Sequence, residues 1–289
     1  MPGASPTIRQ RELGKRLRDL RLQHELTVEA VADKLLCSAT KISRLETGAR
    51  RPSLRDVRDL CDLYEVGGSM TEELMSLARR AREEGWWTSY DDLNLDPYIG
   101  LETAAVAITS YSMYYVPALA QTEEYAKAII KGVAPKINPD IHQQRVEARM
   151  RRQLLLEPDN RPRYRMLVDE AVLHRQVGGI SVMIAQFERI LELERQRKAM
   201  IQVIPFDAGA HAAQDSAFVF LEFGEDSELP PVVYVEGLAV AQYFERRSDI
   251  ARYREAIEHL RDAALSPRSS LALIAELKQT YENAESGIN

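Results

Sequence analysis

The stretch LGKRLRDLRLQHELTVEAVADKLLCSATKISRLETGARRP, residues 13–52, decides the fold of the amino-terminal part of the chain. Its apolar residues recur at helical spacing, which predicts three helices in succession. Thr27 and Ser38 each precede a short apolar-periodic run, so both are predicted N-caps. Gly48 is expected to follow the third helix, because glycine readily adopts the left-handed conformation. Two short helices joined by only a few residues predict a helix-turn-helix.

Two further helices are predicted after this stretch. Ser53-x-x-Asp56 resembles a capping box and opens the fourth helix, and Ser69-x-x-Glu72 is predicted to cap the fifth. Gly85 ends the fifth helix, and a polar stretch, TSYDDLNLDP (88–97), then predicts a domain junction. The predicted domains are a mainly α, five-helix domain at 1–85 and a second domain at 86–289.

Composition excludes several classes of protein. Of the 289 residues, 45% are hydrophobic and 28% charged, which is a balance that can bury a core and excludes general disorder. No apolar run approaches the length of a membrane span, and the first residues lack the apolar segment of a signal peptide. Two cysteines provide neither a disulfide framework nor a metal quartet. We expect a cytoplasmic protein without a membrane association.

Charge is distributed unevenly along the chain. The net charge is −6 overall, yet residues 9–58 carry 13 lysines and arginines against 7 acids. Residues 86–289 carry 22 against 30. A basic segment on an acidic body is typical of DNA binding, because phosphate contacts depend on local charge. A solvated, arginine-rich helical surface would show the same asymmetry.

The second domain is predicted to be an α+β domain with a small sheet. Four segments rich in Val, Ile, Phe and Tyr are predicted strands: 163–168, 200–205, 217–223 and 232–236. Residues 98–115 keep helical spacing of apolar residues and are predicted to form a helix. Two helices are predicted to close the chain.

The amino-terminal motifs resemble a known family. Leu26-Thr27, Ile42-Ser43-x-x-Glu46-x-Gly48 and Arg51-Pro52 are similar to the helix-turn-helix domains of the phage-repressor and Xre type. Two positions depart from that pattern: Leu36 replaces the small residue usual in the turn, and Val28 replaces the usual glutamine. The resemblance implies that the third helix enters the major groove of double-stranded DNA.

The resemblance also implies which residues contact DNA. Arg44 is the best candidate for a bidentate contact to guanine, unless it pairs with an acid on its own helix. Thr40 suits a base edge, Lys41 and Ser43 suit either bases or phosphates, and Arg50 and Arg51 suit the backbone. The full candidate set is Thr27, Ser38, Ala39, Thr40, Lys41, Ser43, Arg44, Arg50 and Arg51.

Glu46 has a structural interpretation instead. In the family, the matching acid forms a partly buried ion pair with an arginine of the first helix, which aligns with Arg21. Loss of one partner would leave a buried charge. We therefore expect Arg21 and Glu46 to stabilise the domain rather than to read DNA.

The second domain also resembles a family. An ordered series of motifs is similar to actinobacterial proteins that join an Xre-type domain to a carboxy-terminal domain of unknown function. The series includes Trp86-Trp87, Val116-Pro117, Arg149-x-x-Arg152-Gln153, Val177-Gly178-Gly179 and Val233-Tyr234-Val235-Glu236. Some members are described as antitoxin-like regulators, and others are of the WhiJ type. The resemblance implies DNA binding and a small partner protein encoded nearby.

Charged residues of the second domain leave two interpretations open. Arg145, Arg149 and Arg152 share one helix face, and arginines so close repel one another unless acids or an anion lie opposite. Asp169 and Glu170 are candidates for a structural network with them. The alternative is an anionic ligand pocket formed by the arginines, these two acids and the loop of His211.

No catalytic or cofactor motif accompanies these residues. His211 lies near Asp207 and Asp215, but Gly209 and Pro205 favour a loop, and a zinc site needs three or four converging ligands. We expect no metal, no cofactor and no enzymatic activity.

Two functions remain in view. The first is a sequence-specific DNA-binding transcriptional regulator, a homodimer whose carboxy-terminal domain dimerises and senses a partner or an anionic small molecule. The second is an antitoxin-like protein that neutralises a small partner protein and binds DNA for autoregulation.

Overall fold

The computed structural model describes residues 6–90, 96–157, 161–224, 227, 229–238 and 240–287. They fall into two units. The amino-terminal unit runs to Ser89 and includes the described residues of Leu95–Ala104 and of Gly224–Leu229. The second unit contains Ala105–Phe223 and the chain from Pro230 onward. Residues 91–95 of the predicted junction stretch lie outside the described residues.

The amino-terminal unit is helical, as predicted. Its helices are α1 (Pro6–Gln23), α2 (Val28–Lys34), α3 (Ala39–Glu46), α4 (Leu54–Leu63), α5 (Gly68–Arg80) and α6 (Asp96–Ala104). The predicted capping box is present, since Ser53 and Asp56 each accept a hydrogen bond from the other's backbone amide. The predicted cap at Ser69 is wrong, because α5 begins at Gly68 with Gly67 as an N-cap that lacks a side-chain bond.

Apolar side chains from α1 to α5 form one core. Leu13 and Leu17 lie one turn apart on α1 and are fully buried, as are Val31, Ile42 and Val57 on the following helices. Burial of such a side chain stabilises the fold by about 1.5–3 kcal/mol. The core therefore fixes α2 and α3 against α1 and α4, which orients the outer surface of α3.

A six-stranded mixed sheet forms the centre of the second unit. The strands are β1 (Ala107–Ser112), β2 (Arg163–Asp169), β3 (Met200–Ile204), β4 (Phe218–Glu222), β5 (Val232–Glu236) and β6 (Ala241–Phe244), in the order β3-β2-β1-β4-β5-β6. The pairs β1–β2 and β2–β3 are parallel, and the other three pairs are antiparallel.

Helices cover the sheet. They are α7 (Glu123–Val133), α8 (Pro139–Arg152), α9 (Ala171–His174), α10 (Ile180–Arg195), α11 (Arg247–Ala263) and α12 (Pro267–Glu285). On α11, Ile257 and Leu260 share a core with Tyr111 of β1 and with Phe218 and Phe220 of β4. None of the helices in the described ranges combines the length and the apolar character of a membrane span.

The α+β class of this unit is confirmed, but two strands differ from the prediction. All four predicted strands are present, as β2 to β5. The helix predicted over 98–115 is wrong, because the segment divides into α6 and strand β1. In β1 five of six residues are buried, so both faces of this central strand are covered and the alternation of buried and exposed residues typical of a strand is absent. Strand β6 has no counterpart in the prediction.

Edge strand β3 is bonded on its outer side by the carboxy-terminal segment. The amide of Val203 donates to Oγ of Ser270 at 2.9 Å, and its carbonyl accepts from the amide of Leu265 at 2.8 Å. Ser270 is fully buried. The side-chain amide of Gln202 also donates to the carbonyl of Leu265, at 3.1 Å. The outer backbone amide and carbonyl of Val203 thereby have hydrogen-bond partners, whereas the outer backbone groups of an edge strand are otherwise unpaired.

Candidate functional site

Helices α2 and α3 form the predicted helix-turn-helix. Oγ1 of Thr27 accepts a hydrogen bond from the amide of Ala30 at 3.1 Å, and Oγ of Ser38 accepts from the amide of Lys41 at 3.2 Å. Both hydroxyls therefore act as N-caps. Leu36, in the turn, adopts a φ of +50° and is almost fully exposed. The turn thus keeps its geometry with a leucine in a conformation that favours glycine.

The two faces of α3 differ in what they contact. Ile42 and Leu45 are buried in the core, and Ala39 packs against its margin. The opposite face exposes Thr40, Ser43 and Arg44. These three side chains, all able to form hydrogen bonds, therefore share one exposed surface of the helix-turn-helix.

Lys41, on the first turn of α3, has an acidic partner. Nζ of Lys41 lies 2.6 Å from Oδ1 of Asp56 on α4. Burial raises the pKa of Asp56, but the hydrogen bonds from Lys41 and Ser53 outweigh it and hold this pKa below its usual value. Since Asp56 also belongs to the capping box, the Lys41 ammonium links α3 to the start of α4.

Three arginines at the end of α3 differ from Lys41. Arg44, Arg50 and Arg51 are exposed, and none forms an ion pair with any residue that the structure describes. The amide of Arg50 donates to the carbonyl of Arg44 at 2.9 Å, which holds the chain after α3 against the helix end. Three cations without acidic partners thus cluster on one short segment, as a polyanion-binding surface requires.

Arg21 and Glu46 form a buried, bidentate ion pair. Nε of Arg21 lies 2.7 Å from Oε1 of Glu46, and one terminal nitrogen lies 2.9 Å from Oε2. The other terminal nitrogen donates to the carbonyl of Leu26 at 2.7 Å. The hydrogen bond to Glu46 raises the pKa of Arg21 above its usual value. Both side chains are less than a tenth exposed, so neither is placed to contact DNA.

The six residues predicted for a carboxy-terminal pocket fall into two groups. In the first group, Arg149 on α8 donates to Oε1 of the buried Gln121 at 2.9 Å. Burial, and then the positive charge of Arg152, lower the pKa of Arg149 to about 10, with a smaller contribution from Arg145. Glu236 of β5 acts in the opposite direction on this pKa. The arginine row thus has Gln121 and Glu236 as neighbours.

The second group comprises Asp169, Glu170 and His211. Nε2 of His211 lies 3.8 Å from Oδ2 of Asp169 and 3.4 Å from the hydroxyl of Tyr111. Asp169 also accepts a hydrogen bond from the amide of Ala171 at 2.8 Å. Glu170 accepts from the amide of Phe206 at 2.8 Å. The bond from Phe206 to Glu170 and the contact of His211 with Asp169 hold the loop around His211 at the carboxyl end of β2.

Acidic and histidine side chains do not gather into a metal centre in the described part of the chain. No group of three or more His, Cys, Asp or Glu residues there is arranged to hold a metal ion. His211 has one acid, Asp169, within ion-pair distance.

Comparison with family models assigns both halves of the chain. Residues 12–74 match a helix-turn-helix domain, and residues 95–276, more than half of the chain, match a domain of unknown function, DUF5753. The chain belongs to the DUF5753 family. No curated protein and no solved structure gave a significant match.

In this DUF5753 protein, the helix-turn-helix match includes α2, the turn and α3 together with part of α1 and α5. A helix-turn-helix domain indicates a DNA-binding regulator. The DUF5753 match contains the sheet, the arginine row and the His211 loop, and it assigns no function to them.

In this DUF5753 protein, the role of Gly14 was not predicted from the sequence. A Cβ atom there would lie 2.6 Å from each of the carbonyl oxygens of Leu45 and Glu46. Helix α1 can therefore approach the end of α3 only with glycine at this position. The signal in the sequence was a glycine inside an otherwise regular helical pattern, between Leu13 and Leu17.

Proposed function

We propose that this protein is a sequence-specific, DNA-binding transcriptional regulator of the Xre type, and that it acts by binding rather than by catalysis. Support comes from Arg44, Arg50 and Arg51, on and after the third helix of a helix-turn-helix domain, which are exposed and have no ion pair to the residues that the structure describes. In this arrangement α3 enters the major groove, and Arg44 donates two hydrogen bonds to guanine.

The neighbouring residues divide between base and backbone contacts. Thr40 and Ser43 share the exposed face of α3 with Arg44 and suit base edges. Arg50 and Arg51, which follow the helix, neutralise phosphates together with the amides at the start of α2. Lys41 keeps its ion pair to Asp56 and positions α3 on α4 instead of contacting DNA.

Fluorescence anisotropy on labelled DNA from upstream of the protein's own gene tests the proposal. Arg44→Ala is expected to lose about 1–3 kcal/mol of discrimination, which is at least a fivefold weaker specific complex. Arg79→Ala is the matched control, because Arg79 is equally exposed but lies on α5, which packs against α1 and α4. Binding of wild type no tighter than to random DNA, or equal losses in both variants, would refute sequence-specific reading through α3.

Salt dependence separates the two kinds of contact. Each phosphate contact contributes about 0.9 to the slope of log affinity against log salt. Arg50→Ala is expected to reduce this slope by about 1 and to weaken specific and random DNA alike. An unchanged slope in Arg50→Ala would remove this arginine from the backbone contacts.

We propose that the carboxy-terminal domain forms a homodimer, because Xre-type domains usually bind two half-sites as dimers. We also propose that it senses a small partner protein, as the resemblance to actinobacterial, WhiJ-type regulators implies, or an anionic ligand. Large apolar side chains in this unit are well exposed, among them Val133, Leu154, Leu238 and Val240. Such side chains suit burial against another chain. Sedimentation equilibrium measures the assembly directly, and a monomer at concentrations that saturate DNA would refute the dimer.

The same exposed side chains favour a second candidate function. An antitoxin-like protein would cover them with a small partner protein, and would bind DNA for autoregulation. Co-expression with the product of the neighbouring gene distinguishes the two functions. A stable complex that abolishes the partner's activity without DNA supports the second, and separate elution of the two proteins removes it.

A further inference from the structure

A basic cleft lies at the amino ends of the three parallel strands. It has a volume of about 690 Å³, with Ala107 and Thr109 of β1 among its lining residues. Five of the lining side chains are cationic: Arg161, Arg163, Arg165, Arg197 and Lys198. Two are acidic: Glu194 and Glu222. The cleft lies within the second unit, and its lining residues do not include the arginine row or His211.

Strand register explains why the cations converge. Ala107 of β1 is paired with Arg163 of β2, and Arg165 of β2 is paired with Met200 of β3. Arg163 and Arg165 are two residues apart on one strand, so they point to the same face of the sheet. Ala107 and Thr109 occupy the matching positions of β1, and their small side chains leave room above the sheet.

Most of these cations lack acidic partners. Nζ of Lys198 lies 2.9 Å from Oε1 of Glu157. In contrast, three arginines are exposed and have no ion pair with any described residue: Arg161, Arg163 and Arg197. Arg165 has none either, and its buried Nε lacks a hydrogen-bond acceptor across the described chain. The acids of the cleft are too few to neutralise it, so an anion would gain from entering.

Arg165 shows the electrostatic effect of this crowding. Burial, and then the positive charges of Arg261 and Arg163, lower the pKa of this guanidinium below its usual value. A bound anion would act on this pKa in the opposite direction.

We propose that the cleft binds a small phosphorylated molecule, with the phosphate held by Arg163, Arg165 and Arg197. A guanidinium fork matches the phosphate group and forms charge-assisted hydrogen bonds with it. The volume lies within the range typical of small-molecule pockets. Glu194 and Glu222 accept hydrogen bonds from the hydroxyl or amino groups of such a ligand, and their charge opposes a continuous nucleic-acid backbone. This inference deepens the ligand-sensing part of the proposed function, although the cleft does not depend on DNA binding.

Isothermal titration of the full chain without DNA tests this inference. The probes are inorganic pyrophosphate and adenosine monophosphate, with adenosine as the uncharged comparison. We expect saturable binding of at least one phosphate probe and much weaker binding of adenosine. Because DNA is absent, a failure here is distinguishable from a failure of the proposed DNA binding.

Paired variants locate the site. The double variant Arg163→Gln/Arg197→Gln is expected to lower the affinity for the phosphate probe about tenfold or more, since two charge-assisted contacts are lost. Both side chains are exposed, so the fold should persist, and near-ultraviolet circular dichroism checks it. Arg268→Gln removes an equally exposed arginine of α12 outside the cleft and should leave the affinity unchanged. Absence of saturable binding, adenosine binding as tight as its phosphate, or equal affinity changes in both variants would overturn the proposal.

Discussion

Replacement of Glu46 by alanine should destabilise the amino-terminal unit strongly. The substitution removes both acceptors of the bidentate pair. The Arg21 side chain is 8% exposed, and among the described residues its guanidinium would keep the carbonyl of Leu26 as its acceptor. Breaking a buried ion pair in this way costs about 3–5 kcal/mol. We take about 3 kcal/mol, because water can reach a guanidinium near the surface of a small helical unit.

Tryptophan fluorescence measures this effect in the full chain. The protein contains two tryptophans, Trp86 and Trp87, and both belong to the amino-terminal unit, where Trp87 is buried. Their emission during urea unfolding therefore follows that unit. With a denaturant slope of about 1–3 kcal/mol per M, a loss of 3 kcal/mol lowers the midpoint by roughly 1–3 M. Glu72→Ala, at an exposed glutamate of α5, should leave the midpoint within about 0.3 M, as surface substitutions usually do.

A double variant isolates the cost of the unpaired charge. Arg21→Met combined with Glu46→Leu removes both charges and fills the site with apolar atoms, so it should be less destabilised than the sum of the two single variants by at least about 1 kcal/mol. An unchanged midpoint in Glu46→Ala, or strict additivity in the double variant, would refute the buried-pair reasoning.

Three further outcomes are expected from the same fluorescence assay. Gly14→Ala should destabilise the unit, because the Cβ atom of alanine would collide with two backbone oxygens. This effect opposes the helix propensity of alanine, which exceeds that of glycine by about 1 kcal/mol. A rise in the urea midpoint would contradict the close contact. Leu36→Gly should stabilise by up to about 1 kcal/mol, since this exposed leucine has φ of +50°, whereas Leu36→Ala should give no gain; equal effects would contradict backbone strain. Asp56 has a lowered pKa in the folded state, so its contribution to the free energy of unfolding is present above the unfolded pKa of about 4 and is lost as the pH falls through the folded value. Asp56→Asn should therefore lose less stability on acidification than the wild type. Parallel pH curves for the two proteins would argue against the ion pair between Lys41 and Asp56.

The helix-turn-helix could be predicted from sequence because its signals are local. Thr27, Ser38 and the Ser53–Asp56 box each act within three residues, and the structure places each at the start of a helix. The apolar periodicity of α1 to α4 likewise lies within single helices. Gly67 was the exception, since no side chain marks the beginning of α5.

The sheet was harder to predict because its stability comes from distant partners. Strand β1 pairs with residues more than 50 positions away on β2 and more than 100 away on β4. Its sequence, AITSYS, is buried at nearly every position, so periodicity could not distinguish a buried strand from a helix. Leu101, Ala104, Ile108 and Tyr111 also keep helical spacing across α6 and β1, which extended the helix prediction into the strand incorrectly.

The candidate pocket of the second domain shows the same limit. The spacing of Arg145, Arg149 and Arg152 correctly places them on one helix, α8, but spacing along a helix does not identify the residues opposite. Gln121 and Glu236 come from segments 28 and 87 residues away from Arg149. The basic cleft left a fainter signal, the alternation Arg161-Pro162-Arg163-Tyr164-Arg165, which directs arginines to one side of a strand.

The bonds between Val203 and the carboxy-terminal segment hinder the addition of another strand at the β3 edge of the sheet. Leu265 and Ser270 form hydrogen bonds with the outward carbonyl and amide of Val203, so these two backbone groups are not free to pair with an incoming strand. A protease cut before Leu265 would release this seal and turn β3 into a template for strand addition and aggregation. Leu265 and the first turn of α12 thus protect this edge of the sheet from association with other strands. Fusions or truncations near residue 265 therefore carry a solubility hazard that changes near residue 285 do not.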